Sequence, residues 1–175
     1  MDSFYAIKKL LPAFSQYYTI KEVDVTPPFC AEAEFRSHNE QYFLVRSAHI
    51  ADIDSNEFVY FSAADSLDSA KLEELIKAAW EGGLAKVRPY NGHRNSDVSL
   101  LIFTKTISPE TITTIKKTKL YKSYKFSFHG WSHLKLAVCL MPADDASEAS
   151  TAEVFTNRQG RDYEKLIKKI LKNQS

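Results

Sequence analysis

YKSYKFSFHGWSHLKLAVCLM, residues 121–141, is the stretch whose reading decides the fold. Tyr124, Phe126, Phe128, Leu134, Leu136, Val138 and Leu140 share one parity, so one face of the run is apolar along nearly all its length. Alternation of period two marks a half-buried strand, or two strands meeting at a bend. Gly130 is where the bend falls, because a residue without Cβ tolerates the kink or bulge that re-aims a strand. Trp131 has the opposite parity, so the bend is expected to fold its indole back, half-buried, onto another part of the core. The alternative for Trp131 is an exposed stacking platform beside Lys122 and Lys125.

Working outward toward the C-terminus, residues 144–151 read as an acidic loop of small residues, and AEVFT (152–156) as a last strand. Asn157 to Gly160 form a turn before a closing helix over 161–172, with Tyr163, Leu166, Ile167, Ile170 and Leu171 inward. On the other side, Ser108-Pro109-Glu110 is a helix start, with Pro where its missing N–H costs nothing. VSLLIFTK (98–105) is continuously apolar and therefore predicted to be buried on both faces. Before it lie a polar loop over 84–97 and a helix capped by Ser66 and ended by Gly82-Gly83.

Three strands in meander precede that helix: FCAEAEFRSH (29–38), QYFLVRSAHI (41–50) and EFVYFSA (57–63), joined by short turns. Ile20 to Val25 is a further short strand candidate. An amphipathic first helix carries Phe4, Ile7, Leu11, Phe14 and Tyr18, with Ser3 as cap and a kink or break at Pro12. The prediction is an α+β fold in a single domain over residues 1–175: an antiparallel meander continued into a mixed sheet with helices packed on it. The inner order (helix, three strands, helix, strand, helix, strand) also fits a restriction-endonuclease-like core, which is the alternative fold reading.

The 175 residues are 44% hydrophobic and 26% charged, an ordinary globular balance. No apolar run reaches the ~18 residues that span a bilayer, and the opening MDSFYAIKKLL has its acid first, the reverse of a secretory signal. Two cysteines cannot build a disulfide framework, so a cytoplasmic setting is expected. The net charge of +1 conceals a segregation. Glu22 to Gly83 hold 13 acidic and 4 basic residues, a net of −9, whereas Leu84 to Leu140 hold 10 basic and 2 acidic, a net of +8. Such halves either pack together and neutralise each other or leave a basic face for an anionic partner.

No catalytic constellation is complete. Asp52, Asp54 and Glu57 near the third meander strand lack the Glu-x-Lys that an endonuclease-like site would add, because Phe58 and Val59 follow Glu57. His129 and His133 sit four apart in a strand pattern, about 13 Å from each other, and no metal site or cofactor motif is read. A hairpin tip at Asn39-Glu40 would pair residues summing to 79, setting Phe35 against Leu44, Ala31 against Ala48 and Cys30 opposite His49. A Cys–His pair lowers a thiol pKa and can make it nucleophilic; a buried cysteine beside a hydrogen-bonded histidine is the plainer alternative. Lys116, Lys117, Lys119, Lys122 and Lys125 interleave with Tyr121 and Tyr124, while Arg88, His93 and Arg94 decorate the preceding loop. Lysines neutralise phosphates and aromatics stack on bases. The expected ligand-binding set is therefore Arg88, His93, Arg94, Lys122 and Lys125, and the expected partner an anionic small molecule or nucleic acid, not a membrane.

QYFL (41–44), YKSYKFSFHGW (121–131) and the TNRQG turn (156–160) together resemble the pattern of a small uncharacterised bacterial domain family. The resemblance implies a bacterial, cytoplasmic protein and carries no activity with it. The functional expectation that results is a non-catalytic binding or interaction domain, with a hydrolase or nuclease on an endonuclease-like scaffold as its alternative.

Overall fold

The computed structural model of the chain describes residues 2–36, 55–89, 93–142 and 152–172. The strand expected over 41–50, the flanking turns and the acidic loop fall outside those residues. One sheet gathers all seven described strands, with helices on both of its faces, so the α+β reading holds. The helices are α1 (Ser3–Phe14), α2 (Ser69–Lys86), α3 (Pro109–Lys117) and α4 (Arg161–Lys172). The strands are β1 (Thr19–Lys21), β2 (Ala31–Arg36), β3 (Ser55–Leu67), β4 (Asn95–Ile107), β5 (Tyr121–Ser123), β6 (Trp131–Leu140) and β7 (Glu153–Thr156). Their order is β1-β2-β3-β4-β6-β5, with β7 also on β6. β1, β2 and β3 are antiparallel neighbours, whereas β3, β4 and β6 run parallel. Among the described residues no helix is long and apolar enough to cross a membrane.

Strand parity divides the core in two. Val59, Phe61, Leu101, Phe103, Ala137 and Cys139 meet Ile7, Leu10 and Phe14 of α1 and Tyr163 and Ile167 of α4. The opposite parity sends Phe58, Tyr60, Leu100, Ile102, Leu134, Leu136 and Val138 against Leu72 and Leu75 of α2 and Ile115 of α3. β4 is thus buried on both faces, as its unbroken apolar run predicts.

Several local expectations change. The cap of α2 is Asp68, whose side chain accepts from the Lys71 N–H at 2.8 Å, not Ser66. α2 also runs through Gly82 and Gly83 instead of stopping there. A Cβ on Gly83 would lie 2.4 Å from a Val98 methyl, so this glycine lets helix and strand approach and does not end the helix. With α2 reaching Lys86 and β4 starting at Asn95, the connection between them is shorter than the loop expected over 84–97. α1 keeps Pro12 inside its last turn and ends at Phe14, one helix and not two. Ser108 caps α3 as expected, accepting from the Thr111 N–H at 3.2 Å.

The largest correction lies in the opening stretch. It forms two strands, β5 and β6, but residues 124–130 between them are a turn. Lys125, Phe126 and Ser127 all have positive φ (45°, 52° and 70°), and the alternating parity does not survive it. Phe126 is 95% exposed and Phe128 79% exposed, so neither belongs to the core. Trp131, at the start of β6, is half-buried as expected.

Candidate functional site

The parity of the α1/α4 face places Glu57 of β3, Asp97 and Ser99 of β4, and Lys135 of β6 on one side of the sheet. Register does the rest: Glu57 is the direct partner of Asp97, and Ser99 of Lys135. The Lys135 ammonium lies 3.2 Å from Glu57 Oε1 and 3.0 Å from Asp97 Oδ2, bridging both carboxylates. The Ser99 hydroxyl donates to Glu57 Oε1 at 2.5 Å, and the Tyr163 hydroxyl, reaching down from α4, donates to the same oxygen at 2.7 Å. The hydroxyl of Tyr18, just after α1, donates to Glu57 Oε2 at 2.6 Å. Glu57 is therefore saturated. Asp97 is not: its buried Oδ1 has no hydrogen-bond partner among the described residues.

The electrostatics follow from burial and pairing. Burial pushes the Glu57 carboxyl up, but the Lys135 charge and the donors Ser99, Tyr163 and Tyr18 outweigh it, and its pKa ends below the usual carboxylate value. Lys135 mirrors this: burial favours the neutral amine, while Glu57 and Asp97 hold the proton more strongly, leaving its pKa raised. Burial, then the Glu57 charge, push both tyrosines far upward, so they remain hydrogen-bond donors at any ordinary pH. Chemically the cluster is a filled acid–lysine network with one oxygen left over. An ammonium already occupies the position between the carboxylates, and among the described residues no three His, Cys, Asp or Glu side chains gather as a ligand set. The cluster as built does not fit a divalent metal ion.

The predicted cations lie elsewhere. β3 rises, α2 returns and β4 rises again, so the end of α2, the start of β4 and the turn at 124–130 share one end of the sheet. Arg88 and Arg94 in the loop, and Lys122 and Lys125 at the turn, are exposed there. Arg88 donates to the carbonyls of Ala85 and Val87. His93 differs from its expected surface position: it is buried, with Nδ1 at 2.8 Å from the His129 carbonyl and Nε2 at 2.8 Å from the Ser96 hydroxyl. It fastens the turn from below, presenting neither nitrogen to solvent. Gly130 packs beside it with φ +83°, where a Cβ would sit 2.1 Å from the Arg94 carbonyl oxygen.

Three lysines of the basic segment are spent on acids: Lys86 on Glu32, Lys105 on Asp65, and Lys135 on Glu57 and Asp97. Lys116, Lys117 and Lys119 at the end of α3, with Lys122 and Lys125, are exposed and make no ion pair among the described residues. Along the chain they run from the end of α3 through β5 to the turn, and Tyr121, Phe126 and Phe128 in the same stretch are also exposed. Holding three non-glycine residues left-handed costs roughly 1–2 kcal/mol each. Four backbone hydrogen bonds hold the turn: Phe128 N–H to Lys125, Gly130 N–H to Ser127, His129 N–H to Tyr124 and Tyr124 N–H to Gly130.

Cys30 does not acquire the predicted partner within the described residues. His49 and the rest of the strand in the register summing to 79 lie outside them; within them Ala31 pairs with Phe61 and Phe35 with Glu57. The Cys30 thiol donates to the Phe61 carbonyl at 3.3 Å, and burial pushes its pKa up, opposite to what a nucleophile needs. A cleft of about 410 Å³ opens beside β1 and β2, but its acids Glu32 and Glu34 are already matched by Lys86 and Arg36.

Sequence reasoning considered Glu57 without Asp97 and Lys135. The signal available was one acid and one lysine of matching parity in consecutive parallel strands, and only register brings them together. The TNRQG turn has a clear structural use. β5 covers residues 131–133 of β6 and β7 covers 137–140 on the same edge, leaving a gap between them. Asn157 fills it: Oδ1 accepts from the Leu136 N–H at 3.0 Å, Nδ2 donates to the Leu134 carbonyl at 2.9 Å, and its own N–H donates to the Leu136 carbonyl at 3.1 Å. Gly160 lets α4 start against that edge, since a Cβ there would meet the Leu136 carbonyl oxygen at 2.3 Å. No curated protein and no solved structure matches the chain. Residues 2–169 match the family described as Domain of unknown function (DUF8052), and over nearly its whole length the chain belongs to that family.

Proposed function

We propose that this chain is a non-catalytic binding domain for an anionic partner, which it meets along the edge running from the end of α3 through β5 to the 124–130 turn. The observation that carries the reading is the row of exposed lysines, Lys116 to Lys125, which have no acidic partner among the described residues while other lysines of the same segment are neutralised. Arg88 and Arg94 extend the field at the same end of the sheet, and His93 positions the turn beneath it. Contacts of this kind release counterions, so affinity falls steeply with salt. Five phosphate contacts on a flexible strand give a loss of roughly a hundredfold between 50 and 200 mM salt. Titrating a labelled oligonucleotide and inorganic polyphosphate across that range tests the reading. Replacing Lys119, Lys122 and Lys125 together by Ala is expected to flatten the logarithmic salt slope by about 2. No binding at low salt, or an unchanged slope in the variant, would remove the proposal.

A second reading, a hydrolase centred on the acid–lysine cluster, is favoured by the convergence of Glu57, Asp97 and Lys135 and by the element order shared with endonuclease-like cores. Asp97, with its open oxygen, would act as base, and Lys135 would hold a developing negative charge. The saturation of Glu57, typical of a structural carboxylate, ranks this reading second. It requires turnover of ester or phosphodiester substrates, assayed with and without divalent metals, that falls at least a hundredfold in Asp97→Asn. Turnover at background, or equal turnover in the variant, sinks it.

A further inference from the structure

Phe126 and Phe128 are the most exposed large apolar side chains among the described residues, at 95% and 79%, and both sit on one short turn beside the lysine row. The turn is built to display them. Its backbone is held left-handed at three successive non-glycine residues, its ends are closed by backbone hydrogen bonds, and buried His93 and close-packed Gly130 anchor it from below. A platform fixed in this way loses little freedom on binding. Tyr121 continues the aromatic series along β5, its ring centroid 5.0 Å from that of His133.

We infer that Phe126 and Phe128 are stacking platforms for unpaired bases, and that the partner is a single-stranded nucleic acid whose phosphates meet the lysine row. The inference rests on the anion-binding reading and names its ligand class. Aromatic rings set among lysines supply what a single strand offers, alternating charge and open π-faces. A duplex hides its base faces and gives the rings nothing to stack on. A membrane wedge is disfavoured because interfacial binding scales with the apolar area buried and one short turn offers only two rings, whereas a single ring suffices to stack on a base.

The test uses the full chain, a labelled 12-nucleotide single strand, the same sequence as a duplex, inorganic polyphosphate and vesicles containing phosphatidylserine. Replacing Phe126 and Phe128 together by Ala is expected to weaken single-strand binding at least tenfold while polyphosphate affinity stays within twofold, since stacking is lost and charge is kept. Phe126→Trp is expected to retain binding. Both side chains are exposed, so an unchanged melting temperature should accompany the loss. Equal losses for polyphosphate and single strand, or duplex binding as tight as single-strand binding, overturns the stacking role while leaving the anion-binding reading in place. Vesicle binding that depends on the two rings, without any single-strand binding, overturns it in favour of a membrane surface. No binding to any polyanion at low salt overturns both readings.

Discussion

Lys135→Ala is expected to destabilise the fold by about 3–5 kcal/mol, as does breaking one partner out of a buried ion pair. Glu57 and Asp97 are direct register partners on adjacent parallel strands, so two carboxylates project side by side onto the same buried face. Among the described residues only the Lys135 ammonium faces both. Without it the donors Ser99, Tyr163 and Tyr18 still serve Glu57, but the Asp97 charge has no cation beside it among these groups. The pH dependence provides the sharper check. In the natural chain the Glu57 pKa lies below its unfolded value, so its stabilisation is complete above about pH 4.3 and is lost as pH falls through the lower native pKa. In Lys135→Ala, burial and the adjacent Asp97 charge push the Glu57 pKa up in the folded state instead. That variant should gain stability as pH drops from 7 toward 5, where the natural chain shows no such gain. Urea denaturation at several pH values reads both slopes. A loss below 1 kcal/mol, the scale of a surface pair, would contradict the buried network.

Asn157→Ala carries the second large expectation, a loss of about 3–5 kcal/mol. The side chain acts as a one-residue strand in the gap between β5 and β7, and it also accepts from the Gly160 N–H at 2.9 Å and donates to the Thr118 carbonyl at 3.2 Å. Removing it strands the Leu136 N–H and takes a donor from the Thr118 and Leu134 carbonyls, each costing about 1–3 kcal/mol where water cannot replace the bond, and it leaves the Gly160 N–H only its longer bond to the residue-157 carbonyl at 3.3 Å. The damage should spread, because the Gly160 contact sets where α4 starts, and α4 delivers Tyr163 to Glu57. Asn157→Asp separates this account from simple volume loss. It keeps both acceptor bonds but turns a carboxylate oxygen toward the Thr118 and Leu134 carbonyls, and is expected to be destabilised at neutral pH with partial recovery on acidification. Thermal melting of both variants measures the effect, and an Asp variant as stable as the natural chain would show that the carbonyl contacts contribute little.

Much of this architecture follows from the chain read alone, where the signal is local. The unbroken apolar run of β4, the Ser108-Pro109 start of α3, the final amphipathic helix and the half-burial of Trp131 each depend on neighbours within a few residues. The physics involved, hydrophobic period and cap chemistry, acts on that same scale. Local reading failed at Phe126 and Phe128. Their parity continues that of Leu134 to Leu140, yet three left-handed residues other than glycine break the alternation, and composition does not announce them. Only the tertiary structure decided which strands pair, because hydrogen bonding across a sheet is indifferent to separation along the chain. That choice gave β2 to β1 and β3, brought Glu57 to Asp97, and set Lys135, 78 residues beyond Glu57, against both. It also determined which lysines were neutralised and which were left facing solvent. Charge segregation was already written in the sequence, but whether opposite charges cancel depends on contacts of about 3 Å that strand register and helix packing create.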